Sequence, residues 1–140
     1  MKKYILILSV LASVVFTTSC TKDQSWVNRM EGDWDLDLVI RTNMTNLDRD
    51  TVTPYQTNYT FNKCKLKKVI NCPGSYTDTT GTTPFIYSVT DDGYKLEMEI
   101  YRPTDTLNRV FDLIAVGSDN LDIVLITSDS MRYDYNFTKR

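Results

Sequence analysis

Apolar and polar residues alternate with a period of two along much of this 140-residue chain. The clearest case is the segment 33–40, DWDLDLVI, in which almost every second residue is apolar. Side chains of a β-strand point alternately to its two faces, so the pattern predicts a strand with one buried and one hydrated face. No segment after residue 31 has a convincing helical period. The sequence therefore predicts an all-β domain.

Seven further segments predict strands: 53–63, 75–79, 85–89, 94–100, 109–116, 121–125 and 131–137. Pro54 places the start of the first of these at an edge or a bulge. Cys72-Pro73-Gly74 is expected to break the chain, and Asp91-Asp92-Gly93 to form a hairpin turn. Short connections pair neighbouring strands antiparallel. We expect an eight-stranded antiparallel up-and-down β-barrel, which leaves no free edge, with a two-sheet β-sandwich as the alternative.

The first nineteen residues predict an export signal. Lys2 and Lys3 precede an apolar run from Tyr4 to Phe16, and small polar residues follow it. This layout is typical of a secretory signal peptide, and the run is shorter than the roughly 20 apolar residues that cross a bilayer. We predict that residues 1–19 are removed on export.

Cys20 follows this signal directly, and the small residues before it together with its thiol resemble the lipobox of bacterial lipoproteins. Thr17 occupies the position where that family usually has Leu. The resemblance implies cleavage before Cys20, alkylation of its thiol by a diacylglycerol group, and two or three acyl chains, such as palmitate, on that residue. Thr21 stands where an Asp would retain such a protein at the inner membrane, so the analogy favours an outer-membrane anchor, on either face. The alternative is an ordinary signal peptide that leaves Cys20 as a free thiol.

The composition of the chain argues against some classes of partner and some classes of catalytic and metal site. Without residues 1–19 the chain has 14 Lys and Arg against 18 Asp and Glu, a net charge of −4, which argues against a nucleic-acid partner. The chain contains no histidine, which removes Ser-His and Cys-His catalysis and His-based zinc sites. We expect no cofactor and no enzyme activity. Residues 20–31 should form a lipidated tether with a short helical turn, and residues 32–140 one domain.

Cys64 and Cys72 are the other cysteines. Outside the cytoplasm such a pair usually forms a disulfide. On one straight strand the two residues would lie about 26 Å apart, whereas a disulfide needs Cα atoms within about 7 Å. A bridge therefore requires a loop or a helical turn over residues 65–71. We favour the bridge over two separately buried thiols.

Gly32-Asp33-Trp34 opens the first predicted strand, directly after a possible helical turn at 24–30. In this position it resembles the G-x-W motif of lipocalins, and the closing run 133–138 is similar to the last strand of lipocalin-like domains on bacterial lipoproteins. The resemblance implies that Trp34 closes one end of the barrel and packs against a basic residue near the end of the last strand. Arg140 is the first choice for that residue, and Lys139 is the second.

Strict alternation directs a large apolar set to the barrel interior: Trp34, Leu36, Leu38, Ile40, Tyr59, Phe61, Phe85, Tyr87, Leu96, Met98, Ile100, Phe111, Leu113, Leu121, Ile123, Leu125, Tyr133, Tyr135 and Phe137. One interpretation is a pocket for a small apolar or amphipathic ligand, oriented by tyrosine hydroxyls. Its lining would include Tyr59, Phe61, Tyr87, Met98, Phe111, Tyr133 and Tyr135. The alternative is that these side chains fill the core, in a structural or protein-binding lipoprotein without a ligand.

Asp33, Asp35 and Asp37 form the most regular group of carboxylates. Calcium binds such oxygens, but residues two apart on a strand stand nearly 7 Å from one another and do not converge on one ion. We therefore predict a hydrated outer face and no metal site.

Overall fold

The computed structural model describes residues 19–54, 56–66 and 71–140. The predicted export signal before Ser19 and the side chain of Cys20 lie outside the described residues. The described chain contains one α-helix and nine strands. They are α1 (Ser19–Met30), β1 (Gly32–Asn43), β2 (Arg49–Val52), β3 (Asn58–Phe61), β4 (Cys72–Asp78), β5 (Gly81–Thr90), β6 (Lys95–Tyr101), β7 (Thr106–Val116), β8 (Asn120–Ile126) and β9 (Met131–Lys139). A single 3-10 turn, Asp91–Gly93, joins β5 to β6.

The strands form one antiparallel sheet that closes on itself. From β3 to β9 each strand pairs with the next along the chain, and β1 pairs with both β3 and β9. β2 and β3 lie end to end along the same edge of β1, so they act as one interrupted strand and the barrel has eight. The predicted eight-stranded up-and-down barrel is confirmed, and the β-sandwich is not formed.

The second predicted strand, 53–63, is wrong in its bounds. β2 ends at Val52, which pairs with Val39, and β3 begins at Asn58, which pairs with Asp35. The register along β1 therefore shifts by two residues between the two strands, and Pro54 lies in the break. A proline has no N–H to donate to a ladder, which explains why pairing stops there.

A bulge in β1 overturns the strict alternation predicted for this strand. Leu36 pairs with Phe137, but the next pair along the ladder is Leu38 with Asn136. The extra residue reverses which side chains face inward. Val39 consequently packs against the core, whereas Leu38 and Ile40, both predicted to be interior, are only half-buried and lie outside the core cluster.

The predicted break at Cys72-Pro73-Gly74 is also wrong, because β4 begins at Cys72. Pro73 pairs with Ile86, and its carbonyl accepts a hydrogen bond from the backbone of Asn62. The nitrogen of Pro73 faces the same side as this carbonyl and cannot donate to Asn62, whose carbonyl accepts from the hydroxyl of Tyr87 instead.

The helix α1 is longer than the turn predicted at 24–30 and includes residues 19–23, part of which was predicted to be a tether. Contacts with the barrel hold it. Val27 and Met30 are buried, and the indole of Trp26 covers Gly93, where a Cβ atom would lie 1.9 Å from Trp26 Nε1. Gly93 also has φ +91°, so only glycine fits beneath this ring. Within the described chain, no helix is long and apolar enough to span a membrane.

Candidate functional site

The two ends of the barrel are built differently. At the closed end, α1 and residues 62–66 after β3 cover the interior. At the open end lie the loops 44–48, 79–80, 102–105 and 127–130.

Trp34 lies at the centre of the closed end. It is 0% exposed, and its Nε1 donates a hydrogen bond of 2.7 Å to the carbonyl of Met30. The Nζ of Lys139 lies 5.1 Å from the centroid of the ring. The base of the barrel is thus sealed by an indole whose donor is paired and whose face carries a cation.

The first-choice partner, Arg140, does not occupy this position. Lys139 pairs with Trp34 across β1 and β9, and paired residues place their side chains on the same face. Arg140 follows it and lies on the opposite, outer face, where its Nε is 2.7 Å from an oxygen of Asp35. Because side chains along β9 alternate between the two faces of the sheet, Lys139, the second choice for the partner of Trp34, lies on the inner face.

The disulfide between Cys64 and Cys72 is confirmed, with Cα atoms 5.5 Å apart. Both cysteines are buried in the core at the closed end. The side chain of Gln24 ties α1 to the same loop, since it donates to the carbonyl of Cys64 (2.9 Å) and accepts from the N–H of Leu66 (2.8 Å). These contacts fix the loop after β3 over the base of the barrel.

Phe61 and Tyr87 belong to this packed end and do not line the interior cavity. Their ring centroids are 5.0 Å apart, edge to face, and each side chain is 1% exposed. The hydroxyl of Tyr87 donates to the carbonyl of Asn62 at 3.3 Å. Both were predicted as ligand-lining residues, and strand alternation alone could not show how near the base each would lie.

A cavity of about 300 Å³ occupies the interior towards the open end. Five residues predicted as ligand-lining surround it, namely Tyr59, Met98, Phe111, Tyr133 and Tyr135. The rest of the lining is Tyr76, Ile100, Leu107, Arg109, Ile123, Leu125, Thr127 and Phe137. The barrel interior is therefore filled at one end only.

Four tyrosines give this mainly apolar cavity its hydrogen-bonding groups. Tyr59 stacks on Tyr76 at 5.4 Å between centroids, and Tyr133 lies 6.5 Å from Tyr135. None of the four hydroxyls has a hydrogen-bond partner among the described residues. They are available to a molecule that enters the cavity.

Burial raises the pKa of two of these hydroxyls. Desolvation raises the pKa of Tyr59, and the neighbouring Tyr135 and Tyr76 raise it further. Desolvation also raises the pKa of Tyr135, followed by the effect of Tyr133, while Arg109 acts in the opposite direction. Both phenols remain protonated near neutral pH and can donate hydrogen bonds.

Sequence reasoning missed Tyr76 and Arg109 as lining residues. Arg109 lies two positions before Phe111 on β7, so the alternation that placed Phe111 inside also places Arg109 there. Tyr76 pairs with Tyr59 across β3 and β4. The strand pattern carried the signal in both cases, but a pattern of apolar residues does not mark the charged Arg109 as interior.

The three aspartates of β1 bind neighbouring strands on the outer face. Asp33 accepts from the hydroxyl of Thr60 at 2.6 Å, and Asp35 pairs with Arg140. Asp37 accepts from the hydroxyl of Thr138. Among the described residues, no cluster of three or more Cys, Asp or Glu side chains could hold a metal ion.

No family model matches this chain, and no curated protein matches it in sequence.

Proposed function

We propose that this protein is a lipid-anchored binding protein of the cell envelope, with a lipocalin-like barrel that encloses a small apolar or amphipathic ligand. The observation that carries the proposal is the cavity of about 300 Å³ behind the open end. Ligand pockets in proteins start at about this volume and combine apolar walls with a few polar groups. A filled core would have left no such space.

The lining supplies a simple binding mechanism. Phe111, Ile123 and Leu125 offer apolar contacts, and burial of a ligand against them contributes roughly 25 cal/mol per Å² of apolar surface. The tyrosine hydroxyls then select a ligand that can satisfy them, because a buried hydroxyl left unpaired weakens binding. The described lining contains no carboxylate and no thiol, so its chemistry favours binding over catalysis.

The proposed location rests on the chain's first twenty residues. The charged and apolar run before Cys20 supports export, and the lipobox-like site supports acylation of that cysteine. Two or more acyl chains hold a protein durably at a bilayer. The disulfide between Cys64 and Cys72 is in keeping with an oxidising compartment outside the cytoplasm.

A second candidate is a lipoprotein that binds a protein partner, and the β1–β2 hairpin favours it. Met44, Leu47 and Val52 expose apolar side chains there, and Leu47 is 76% exposed. Exposed apolar side chains on one hairpin mark interaction surfaces in some proteins. This surface lies outside the cavity, so the two candidates can be tested separately.

Native mass spectrometry of the protein purified from its own membrane tests the proposal. We expect a chain that begins at an acylated Cys20 and carries a non-covalent small molecule. Leu125→Trp, which fills the cavity, should abolish that adduct. Ile114→Trp adds the same volume on the outer face, where Ile114 is 60% exposed, and should retain it.

Two outcomes would contradict the proposed function or its mechanism. Protein that carries no small molecule, but co-purifies in fixed ratio with a polypeptide, would support the partner-binding candidate instead. A small molecule that survives Leu125→Trp would place the ligand outside the cavity and overturn the mechanism.

A further inference from the structure

Arg109 is a cation on the inner face of the barrel. On β7 it alternates with exposed residues and is followed by the buried Phe111 and Leu113. It pairs with Met98 across β6 and β7, and Met98 is buried in the core. Paired residues share a face of the sheet, so the guanidinium of Arg109 is directed to the cavity side. It is half-buried there.

This arginine makes no ion pair among the described residues although it is half-buried, whereas Arg29 and Arg49, which also make none, are exposed. The ion pairs of the described arginines are Arg41 with Asp50, Arg102 with Asp105, Arg132 with Asp134, and Arg140 with Asp35. Arg109 makes no ion pair and no hydrogen bond in the described part of the chain. Partial burial of an unpaired charge is unfavourable, so its position at an apolar cavity points to a ligand that supplies the counter-charge.

The barrel wall is open beside this residue. Pairing between β7 and β8 stops at Asp112 with Val124. On its other side, β7 pairs with β6 as far as Thr106, and β8 pairs with β9 as far as Ile126. Over this stretch β7 and β8 are not joined, and the residues that line the space between them include Arg109 and Tyr133. Asp129 lies at the same opening, where its carboxylate accepts a hydrogen bond from the hydroxyl of Thr127. Arg109 thus lies where the cavity meets solvent.

We propose that the cavity binds a single-chain carboxylate, with its tail among the apolar lining and its head group on the Arg109 guanidinium. This rests on the proposed function, since it names the class of ligand for the same cavity. The planar guanidinium matches the two oxygens of a carboxylate and can bind both at once. Tyr135 lines the same cavity, and its hydroxyl supplies a further donor.

The single charge of Arg109 and the volume of the cavity limit the class of ligand. One arginine balances one negative charge, which suits a carboxylate better than a phosphomonoester with about 1.5 to 2 charges near pH 7. A water molecule occupies about 30 Å³ of liquid, so a cavity of about 300 Å³ has the volume of roughly ten waters. The space therefore suits a tail of about ten non-hydrogen atoms with its head at the opening.

The test is titration calorimetry of the disulfide-bonded full mature chain, in detergent-free buffer and with Cys20→Ser to prevent acylation, against three probes of equal tail length. These are decanoate, decanol and decyltrimethylammonium. We expect decanoate to bind about 10- to 100-fold more tightly than decanol, since a hydrogen bond to a charged group is worth that factor. Decyltrimethylammonium should bind more weakly than either.

Two variants assign the effect to Arg109. Arg109→Gln should lose the preference for decanoate over decanol and leave the affinity for decanol nearly unchanged. Arg102→Gln is the matched control, because Arg102 lies at the same end but is paired with Asp105 in an exposed loop. It should keep the preference. Comparing the three probes on the unaltered chain tests the proposal even if Arg109→Gln folds poorly.

Failure of this inference and failure of the proposed function give different results. If decanol and decanoate bind equally, or if decyltrimethylammonium binds as tightly as decanoate, the carboxylate proposal is overturned while a binding cavity remains. If none of the three probes binds, both the inference and the binding function are overturned.

Discussion

The closed and open ends of this barrel use the same kinds of residue for different purposes. At the closed end, the indole of Trp34 donates to Met30, the phenol of Tyr87 donates to Asn62, and the disulfide fixes the covering loop. At the open end, the tyrosine hydroxyls that line the cavity and the guanidinium of Arg109 have no partner in the described chain. Aromatic residues therefore donate hydrogen bonds to the protein at the closed end, whereas at the open end their hydroxyls have no partner in the described chain.

This difference shows how one fold can separate stability from binding. Polar groups that the protein itself pairs add to the free energy of unfolding, whereas unpaired groups near a cavity reduce it. Native proteins depart from full satisfaction chiefly at functional sites. We therefore expect substitutions at the closed end to affect unfolding strongly, and substitutions at the open end to affect binding more than unfolding.

The largest expected effect is that of Trp34→Ala. It removes a fully buried ring and leaves both a cavity and an unpaired carbonyl at Met30. Loss of a buried Trp costs about 3–5 kcal/mol of unfolding free energy. Urea denaturation followed by circular dichroism measures this. The matched open-end variant is Tyr133→Ala, where the ring is only half-buried beside an existing cavity, and a loss of about 1 kcal/mol is expected.

Equal losses of unfolding free energy for Trp34→Ala and Tyr133→Ala would contradict this difference, because both ends would then contribute equally to stability. Should Trp34→Ala fail to fold at all, Trp34→Phe offers a milder test. It keeps most of the ring volume but removes the donor to Met30, and should still cost more than Tyr133→Phe.

The next effect concerns the disulfide. The double variant Cys64→Ala with Cys72→Ala frees a loop whose ends are 8 positions apart in sequence. The chain-entropy relation for such a loop gives a loss of about 2.6 kcal/mol. Urea denaturation with and without reductant tests it, since reductant should weaken the unaltered chain by a similar amount and leave the double variant unchanged. If the reductant has no effect on the unaltered chain, the bridge does not stabilise the closed end.

The sequence predicted the fold better than the site, for a physical reason. Alternation and turn residues act locally, so the antiparallel barrel could be predicted from them. The bridge between Cys64 and Cys72 could be predicted from the pairing of cysteines expected outside the cytoplasm. A single bulge after Leu36 exchanged the faces of Leu38 and Val39, and no local pattern marked it. The depth of a side chain along the barrel depends on strand stagger, which explains why Phe61 was wrongly assigned to the cavity.

The smallest expected effect distinguishes the two cations near the end of β9. Lys139 lies over the buried Trp34 ring, whereas Arg140 pairs with Asp35 in solvent. A cation over an aromatic face contributes about 0.5–1 kcal/mol, and Lys139→Met removes this contribution while it keeps the aliphatic stem. Arg140→Met is the matched control and should leave the urea midpoint nearly unchanged, because solvent and salt screen an exposed ion pair. A larger loss for Arg140→Met than for Lys139→Met would show that the outer pair, and not the seal over the indole, stabilises this end of the barrel.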